Sequence, residues 1–263
     1  MRHWPGEKCI MATTIIISLF IGLTAGAFGG ILGIGGGLIM IPLMVEVLKL
    51  TQHKAHGTSL VALVFTGIAG ATTYAANSSV DITGAALLAL TAVLTAPLGA
   101  RYCHALTEKN LKKYFGAFLI FCSVLLFLKP YLTNFIGTLP GYAKIMILLT
   151  TGALTGFLSG MMGVGGGTIM IPVMVILAGF TQHVAQGTSL LVMVPAGAIG
   201  SFTHWKMGNV EKGILWGLIP GIILGTYLGG NIAHLIPNDT LRWVFALVII
   251  FIGLHYFRTA VPD

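Results

Sequence analysis

The chain has 263 residues, 56% of them hydrophobic and only 8% charged. A soluble domain carries about 25% charged residues, so this composition excludes a soluble enzyme or binding module and describes a polytopic helical membrane protein. The net charge of +7 is spread between the apolar runs and not clustered, which argues against nucleic acid and for basic cytoplasmic loops.

In chain order, the first half holds apolar segments at residues 10–32, 36–49, 57–77, 82–104 and 110–129. The second half holds them at 142–162, 166–179, 187–205, 212–234 and 240–258. Several approach the roughly 20 residues needed to cross hydrocarbon. Arg2 and Lys8 precede the first segment, and Ala25-Gly26-Ala27 has the form of a signal-peptidase site. The equivalent run Ile145–Met162 is internal and cannot be a signal, so 10–32 is read as a retained span. The second segment of each half is short. Gly36 to Lys49 is 14 residues, about 21 Å of helix at 1.5 Å per residue, against a hydrocarbon core of about 30 Å.

The two halves are copies. Gly33-Ile-Gly-Gly-Gly-Leu-Ile-Met-Ile-Pro42 returns 130 residues later as Gly163-Val-Gly-Gly-Gly-Thr-Ile-Met-Ile-Pro172. The register holds through Thr51-Gln52-His53 and Thr181-Gln182-His183 to Gly57-Thr58-Ser59-Leu60 and Gly187-Thr188-Ser189-Leu190. Across 33–60 and 163–190, 18 of 28 positions are identical. Such duplication in an apolar chain predicts a transporter of two repeats, residues 1–135 and 136–263.

Charge orients them. If every segment crosses from a cytoplasmic N-terminus, 11 of the 14 Lys and Arg lie inside; if the second segments return to the side they entered, 7 do. The positive-inside rule favours the first arrangement. Five crossings is an odd number, so the expectation is an all-α membrane protein of two inverted repeats, with both termini cytoplasmic.

Four glycines in five positions mark a break before a short helix. The first N–H groups of that helix have no internal partner and carry partial positive charge. An anion would satisfy them, and the inverted half would aim a second helix start at it. Candidate substrate-binding residues are therefore Gly33, Gly35, Gly36, Gly37, Gly163, Gly165, Gly166 and Gly167, with the hydroxyls of Thr58, Ser59, Thr188 and Ser189 as donors. The alternative for the glycines is tight helix packing, and for the hydroxyls back-bonding or interhelical contact. His53 and His183 are gating or proton-handling candidates, with an interfacial or helix-start contact as the alternative. Asp81 and Glu211 are expected to cap or charge the start of the fourth segments. Cys9, Cys103 and Cys122 have no metal or disulfide spacing, and no cofactor is implied beyond a coupling ion, H+ or Na+.

The doubled Gly-x-Gly-Gly-Gly-x-x-x-x-Pro followed by Gly-Thr-Ser-Leu resembles the TauE/SafE sulfite exporter family of membrane permeases. The resemblance covers nearly the whole chain. It implies a carrier in the cytoplasmic (inner) membrane of a bacterium or archaeon, taking sulfite, sulfonates or related organosulfur anions, often in export. On that resemblance the motif positions are the glycines above, Pro42, Pro172, Gly57, Gly187 and the four hydroxyl residues. Lys54 against Val184 and His56 against Gln186 make the two sides unequal and leave direction and coupling open.

The expectation is thus a secondary transporter in which one half rocks against the other about a midplane site. The alternative is a passive anion channel, although no charged ring is present. An enzyme is not expected, because no His-Glu-x-x-His or nucleophile–base signature occurs. The expected partners are a small anion, the bilayer and, as a possibility, a second copy of the chain.

Overall fold

The computed structural model describes residues 5–102, 116–117, 119–121, 123–124, 126–128 and 141–260. Its helices are α1 (Pro5–Leu32), α2 (Gly37–Glu46), α3 (Gln52–Ala76), α4 (Ile82–Tyr102), α5 (Gly141–Met162), α6 (Gly167–Ile176), α7 (Gln182–Lys206), α8 (Lys212–Leu235) and α9 (Asn238–Ala260). Further helical turns fall within residues 116–128. Among the described residues there is no strand, and seven helices are long and apolar enough to cross a membrane. Three shorter apolar helices accompany them, Gly37–Glu46, Leu119–Leu128 and Gly167–Ile176. A helical chain satisfies its own backbone, as hydrocarbon requires. Leu90, Leu94 and Leu98 of α4, Leu224 and Leu228 of α8 and Phe251 of α9 are exposed on the outer surface.

Helices α3 and α7 begin at Gln52 and Gln182, ahead of the expected 57 and 187. The reason is capping. Thr51 and Thr181 are extended, and their side chains accept hydrogen bonds from the Lys54 and Val184 N–H groups, as N-cap threonines do. The polar first turns, which hydropathy leaves out, are thereby helical. Helices α2 and α6 have 10 residues each, about 15 Å of helix.

Contacts follow one rule: a contact between i and j recurs between i+130 and j−130. A Cβ on Gly22 would strike the Leu218 carbonyl oxygen, and one on Gly152 that of Leu88. Gly229 lies on the Ala27 carbonyl and Gly99 on that of Phe157. The close seams are α1 with α8 and α4 with α5, in which glycine lets backbone meet backbone.

These contacts also fix direction. Gly217, Gly221, Gly225 and Gly229 lie in order on Ile15, Leu19, Leu23 and Ala27, so α1 and α8 run parallel. Lys54 reaches Glu211 at the start of α8, and Gly230 near its end lies against Thr73 near the end of α3. Helices α1, α3 and α8 therefore run one way. Helices α4, α5 and α7 run the other way, since Asp81 bonds to Thr188 at their starts and His204 to Gly160 at their ends. Where the groups meet, Gly67 packs on the Leu190 carbonyl and Gly197 on that of Leu60. Because α1 and α3 run the same way, α2 carries the chain back towards the end where α1 began, and α6 does the same between α5 and α7.

This packing interlocks the two repeats. Each close seam joins a helix of the first repeat to a helix of the second. Moving parts that kept these seams would be drawn from both repeats.

Candidate substrate site where the two breaks cross

Each glycine run turns the chain back on itself. Gly33, Gly35 and Gly36 have φ of 71°, 85° and 75°, and Gly163 and Gly165 have 64° and 85°, a region that β-carbons disfavour. The two turns seat on each other. A Cβ on Gly37 would lie 2.7 Å from the Gly163 carbonyl oxygen and 2.9 Å from that of Val164. One on Gly167 would lie 2.5 Å from the Gly33 oxygen and 2.8 Å from Ile34 Cα. The N-termini of α2 and α6 are thus brought together at the centre of the molecule. Gly36 O accepts from the Ile39 and Met40 N–H groups, and Gly166 O from those of Ile169 and Met170. The preceding N–H groups of each short helix have no partner within it.

Of the four candidate hydroxyls, those of Ser59 and Ser189 hydrogen-bond across this crossing. Ser59 Oγ lies 2.8 Å from Gly163 O and 2.7 Å from His56 O. Ser189 Oγ lies 2.7 Å from Gly33 O and 2.8 Å from Gln186 O. Each serine has a single proton to share. Thr58 Oγ1 accepts from the Glu211 N–H at 2.9 Å, and Thr188 Oγ1 from the Asp81 N–H at 3.0 Å. All four side chains are fully buried. Asp81 caps α4 as expected, its Oδ1 accepting from Gly84 N–H at 2.8 Å. Glu211 does not cap α8 with its side chain; it pairs with Lys54 at 2.7 Å.

The two candidate histidines occupy unlike surroundings. His53 is exposed in the first turn of α3. His183 is buried at the start of α7, with Nδ1 2.7 Å from Asn238 Oδ1 and Nε2 2.9 Å from Ala233 O. Its ring stacks on His234 at 5.1 Å between centroids. His104, the counterpart of His234, lies outside the described residues.

A small cavity of about 10 Å³ lies beside the second break, lined among others by Thr155, Ser159, Gly165, Gly166, Met170 and Met193. It has room for about one water molecule. Nearby in sequence, Thr168 is 1% exposed, and its hydroxyl has no partner among the described residues. Thr155, Ser159 and Thr168 escape a search by repeat, because their counterparts are Ala25, Gly29 and Leu38. The available signal was a hydroxyl in one copy where the other has none.

Long apolar helices, broken at glycines that meet in the middle, define an integral membrane protein with its irregular backbone buried in protein. The Sulfite exporter TauE/SafE family model matches residues 18–256, and the chain belongs to that family of membrane transporters. It is 26% identical over 262 residues to "Probable membrane transporter protein YunE" of Bacillus subtilis, covering 91% of this chain and 96% of that one. It is 27% identical over 249 residues to YdhB of the same organism, covering 91% and 98%. A probable membrane transporter protein of Haemophilus influenzae is 24% identical over 269 residues, covering 94% and 99%. No solved structure matches.

Proposed function

We propose that this protein is a secondary carrier that exports a small sulfur-containing oxyanion, such as sulfite or a sulfonate, across the cytoplasmic membrane of a bacterium or archaeon. The observation that carries the reading is the mutual seating of Gly37 on Gly163 and Gly167 on Gly33. It brings two short-helix N-termini together, and such termini favour anions. Opening of the crossing would expose those N–H groups, with Thr155, Ser159 and Thr168 as neighbouring hydroxyl donors. The opposed directions of the helix groups support two inverted repeats, 1–135 and 136–263, and the distribution of Lys and Arg supports cytoplasmic termini and an outside 130–141 loop. A cavity at the second break with room for only about one water supports a carrier rather than a standing pore.

The test is sulfite flux into liposomes containing the purified protein. Labelled sulfite uptake should saturate and show counterflow. Sulfonates should compete with it, and a neutral sulfoxide of similar size should not. Equal competition by the sulfoxide would defeat the helix-terminus argument, and flux without saturation or counterflow would indicate a channel.

A further inference from the structure

The ends of α1 and α5, which lead into the two breaks, are held by different chemistry. At the end of α1, Tyr74 Oη lies 2.9 Å from Gly30 O and 3.0 Å from Gln186 Oε1. The equivalent positions at the end of α5 are His204 for Tyr74 and His56 for Gln186. His204 Nε2 lies 3.1 Å from Gly160 O, the counterpart of Gly30 O, and His56 Nδ1 is hydrogen-bonded to Met162 O. Thus a neutral phenol and amide hold one helix end, and two imidazoles hold the other. His204 is fully buried and His56 half-buried.

Position gives the exchange its meaning. Gly160 and Met162 are in the last turn of α5, whose carbonyls lack intrahelical partners and carry partial negative charge. A cation is stabilised there, and imidazole is the side chain that becomes one near neutral pH. The phenol and amide at the other end stay neutral over the same range. We propose that His56 and His204 are the proton-binding site of this transporter, and that proton uptake there tightens the hold on the end of α5 while the Tyr74–Gln186 end does not respond. The inference rests on the transporter reading above.

The link to the anion site is covalent and short. Three residues beyond Gly160 is Gly163, whose carbonyl Ser59 holds one turn from His56; next come Gly165 and Gly166, which line the cavity. Among the described residues, the other charged or titratable groups at this end include Glu46 and Lys49, which α2 carries back to it, and His255 and Arg258 late in α9. Lys54 and Glu211 pair with each other. Lys206 and Lys212 lie over the rings of Phe202 and Trp205. Arg101, in the last turn of α4, and His53, in the first turn of α3, are exposed. The last turn of α5 itself holds no ionisable side chain. His183 and His234 belong to the opposite end, beside Tyr74.

The test exchanges the histidines for the residues of the other copy, His56→Gln with His204→Tyr, a pair already accommodated by the equivalent helix end. Purified wild type and double variant are reconstituted in liposomes, and sulfite flux is measured with and without an imposed pH gradient, the membrane potential being clamped. Wild type should accumulate sulfite under the gradient. The variant should retain exchange at equal pH and lose gradient-driven accumulation. Accumulation by the variant equal to wild type would overturn the proposal. Thermal unfolding in detergent supplies a reading independent of substrate. Between about pH 5.5 and about pH 8, where imidazole titrates, the wild-type midpoint should move by more than that of the variant, which keeps His53, His183 and His234. Identical pH dependence would also overturn the proposal. If neither protein moves sulfite in any assay, the substrate assignment fails, and the unfolding comparison alone decides the proton site.

Discussion

The break after α1 and the break after α5 share their glycines, yet only the first is locked at its last turn residue. Gly36 has φ of 75°, and a β-carbon there would strike the Ala25 carbonyl oxygen. Gly166 has φ of −77°, and its would-be neighbours are Met170 Cε at 2.8 Å and Thr155 Cβ at 3.1 Å. The small cavity lies at the second break. A duplicated scaffold has thus been specialised. One break is fixed by backbone on backbone, and the other is bordered by a flexible methionine and by hydroxyls.

The largest expected effect breaks this contrast most directly. Gly36→Ala should abolish recovery of folded protein from membranes. A left-handed non-glycine residue costs roughly 1–2 kcal/mol, and the added methyl meets backbone that cannot swing aside. Gly166→Ala should leave folded yield near wild type and lower sulfite flux, because Met170 can yield but the cavity is filled. Equal yields from the two variants would erase the distinction.

The serines test what the breaks have in common. Ser59→Ala and Ser189→Ala should each cost about 1–3 kcal/mol, the penalty for leaving a buried polar group without its bond. The loss, read from thermal unfolding, should be alike in the two. Markedly different losses would mean that the seams are unequal even where their hydrogen bonds match.

Thr168→Val sharpens the difference again. The hydroxyl it removes is buried and has no partner among the described residues, so stability should not fall. If that hydroxyl donates to the anion during transport, half-saturation by sulfite should rise by about tenfold, the equivalent of about 1.4 kcal/mol. An unchanged half-saturation constant would remove Thr168 from the site. The smallest effect belongs to Lys54 and Glu211, an ion pair with side chains 45% and 34% exposed. A double-mutant cycle with Lys54→Met and Glu211→Gln should give a coupling of about 0–1 kcal/mol in stability. A much larger value would make the pair a structural latch.

The breaks, the seven long spans and the family are legible in the sequence because those features are local, while the expected 110–129 segment lies largely outside the described residues. Apolar length marks a membrane helix, and a glycine run marks a turn, whatever lies opposite. The partners of the hydroxyls were not legible. Ser59 meets Gly163, and Thr58 meets the Glu211 N–H, only because the repeats interlock, and such pairing has no signature in either copy alone. His204, Thr155 and Thr168 depart from their counterparts, so identity between copies passed over residues that make the breaks differ. The caps at Thr51 and Thr181 were within reach of pattern reasoning, but the polar turns after them were set aside on hydropathy.

The seam between α1 and α8 also bears on how the protein is made. Leu218 follows its partner Gly22 by 196 residues, which at about 5–20 residues per second is on the order of 10–40 s of translation. Through that interval the glycine strip of α1 has no wall to lie against, because the first repeat contains none of the surface that covers it. The seam between α4 and α5 joins helices much nearer in the chain, Ile82–Tyr102 and Gly141–Met162, and can close much earlier. Assembly therefore cannot proceed as one finished repeat followed by another. Helix α1 is made well before its partner and is among the last to be sealed, and a nascent chain stopped in α7 would leave a ready-made berth for the α8 of another copy.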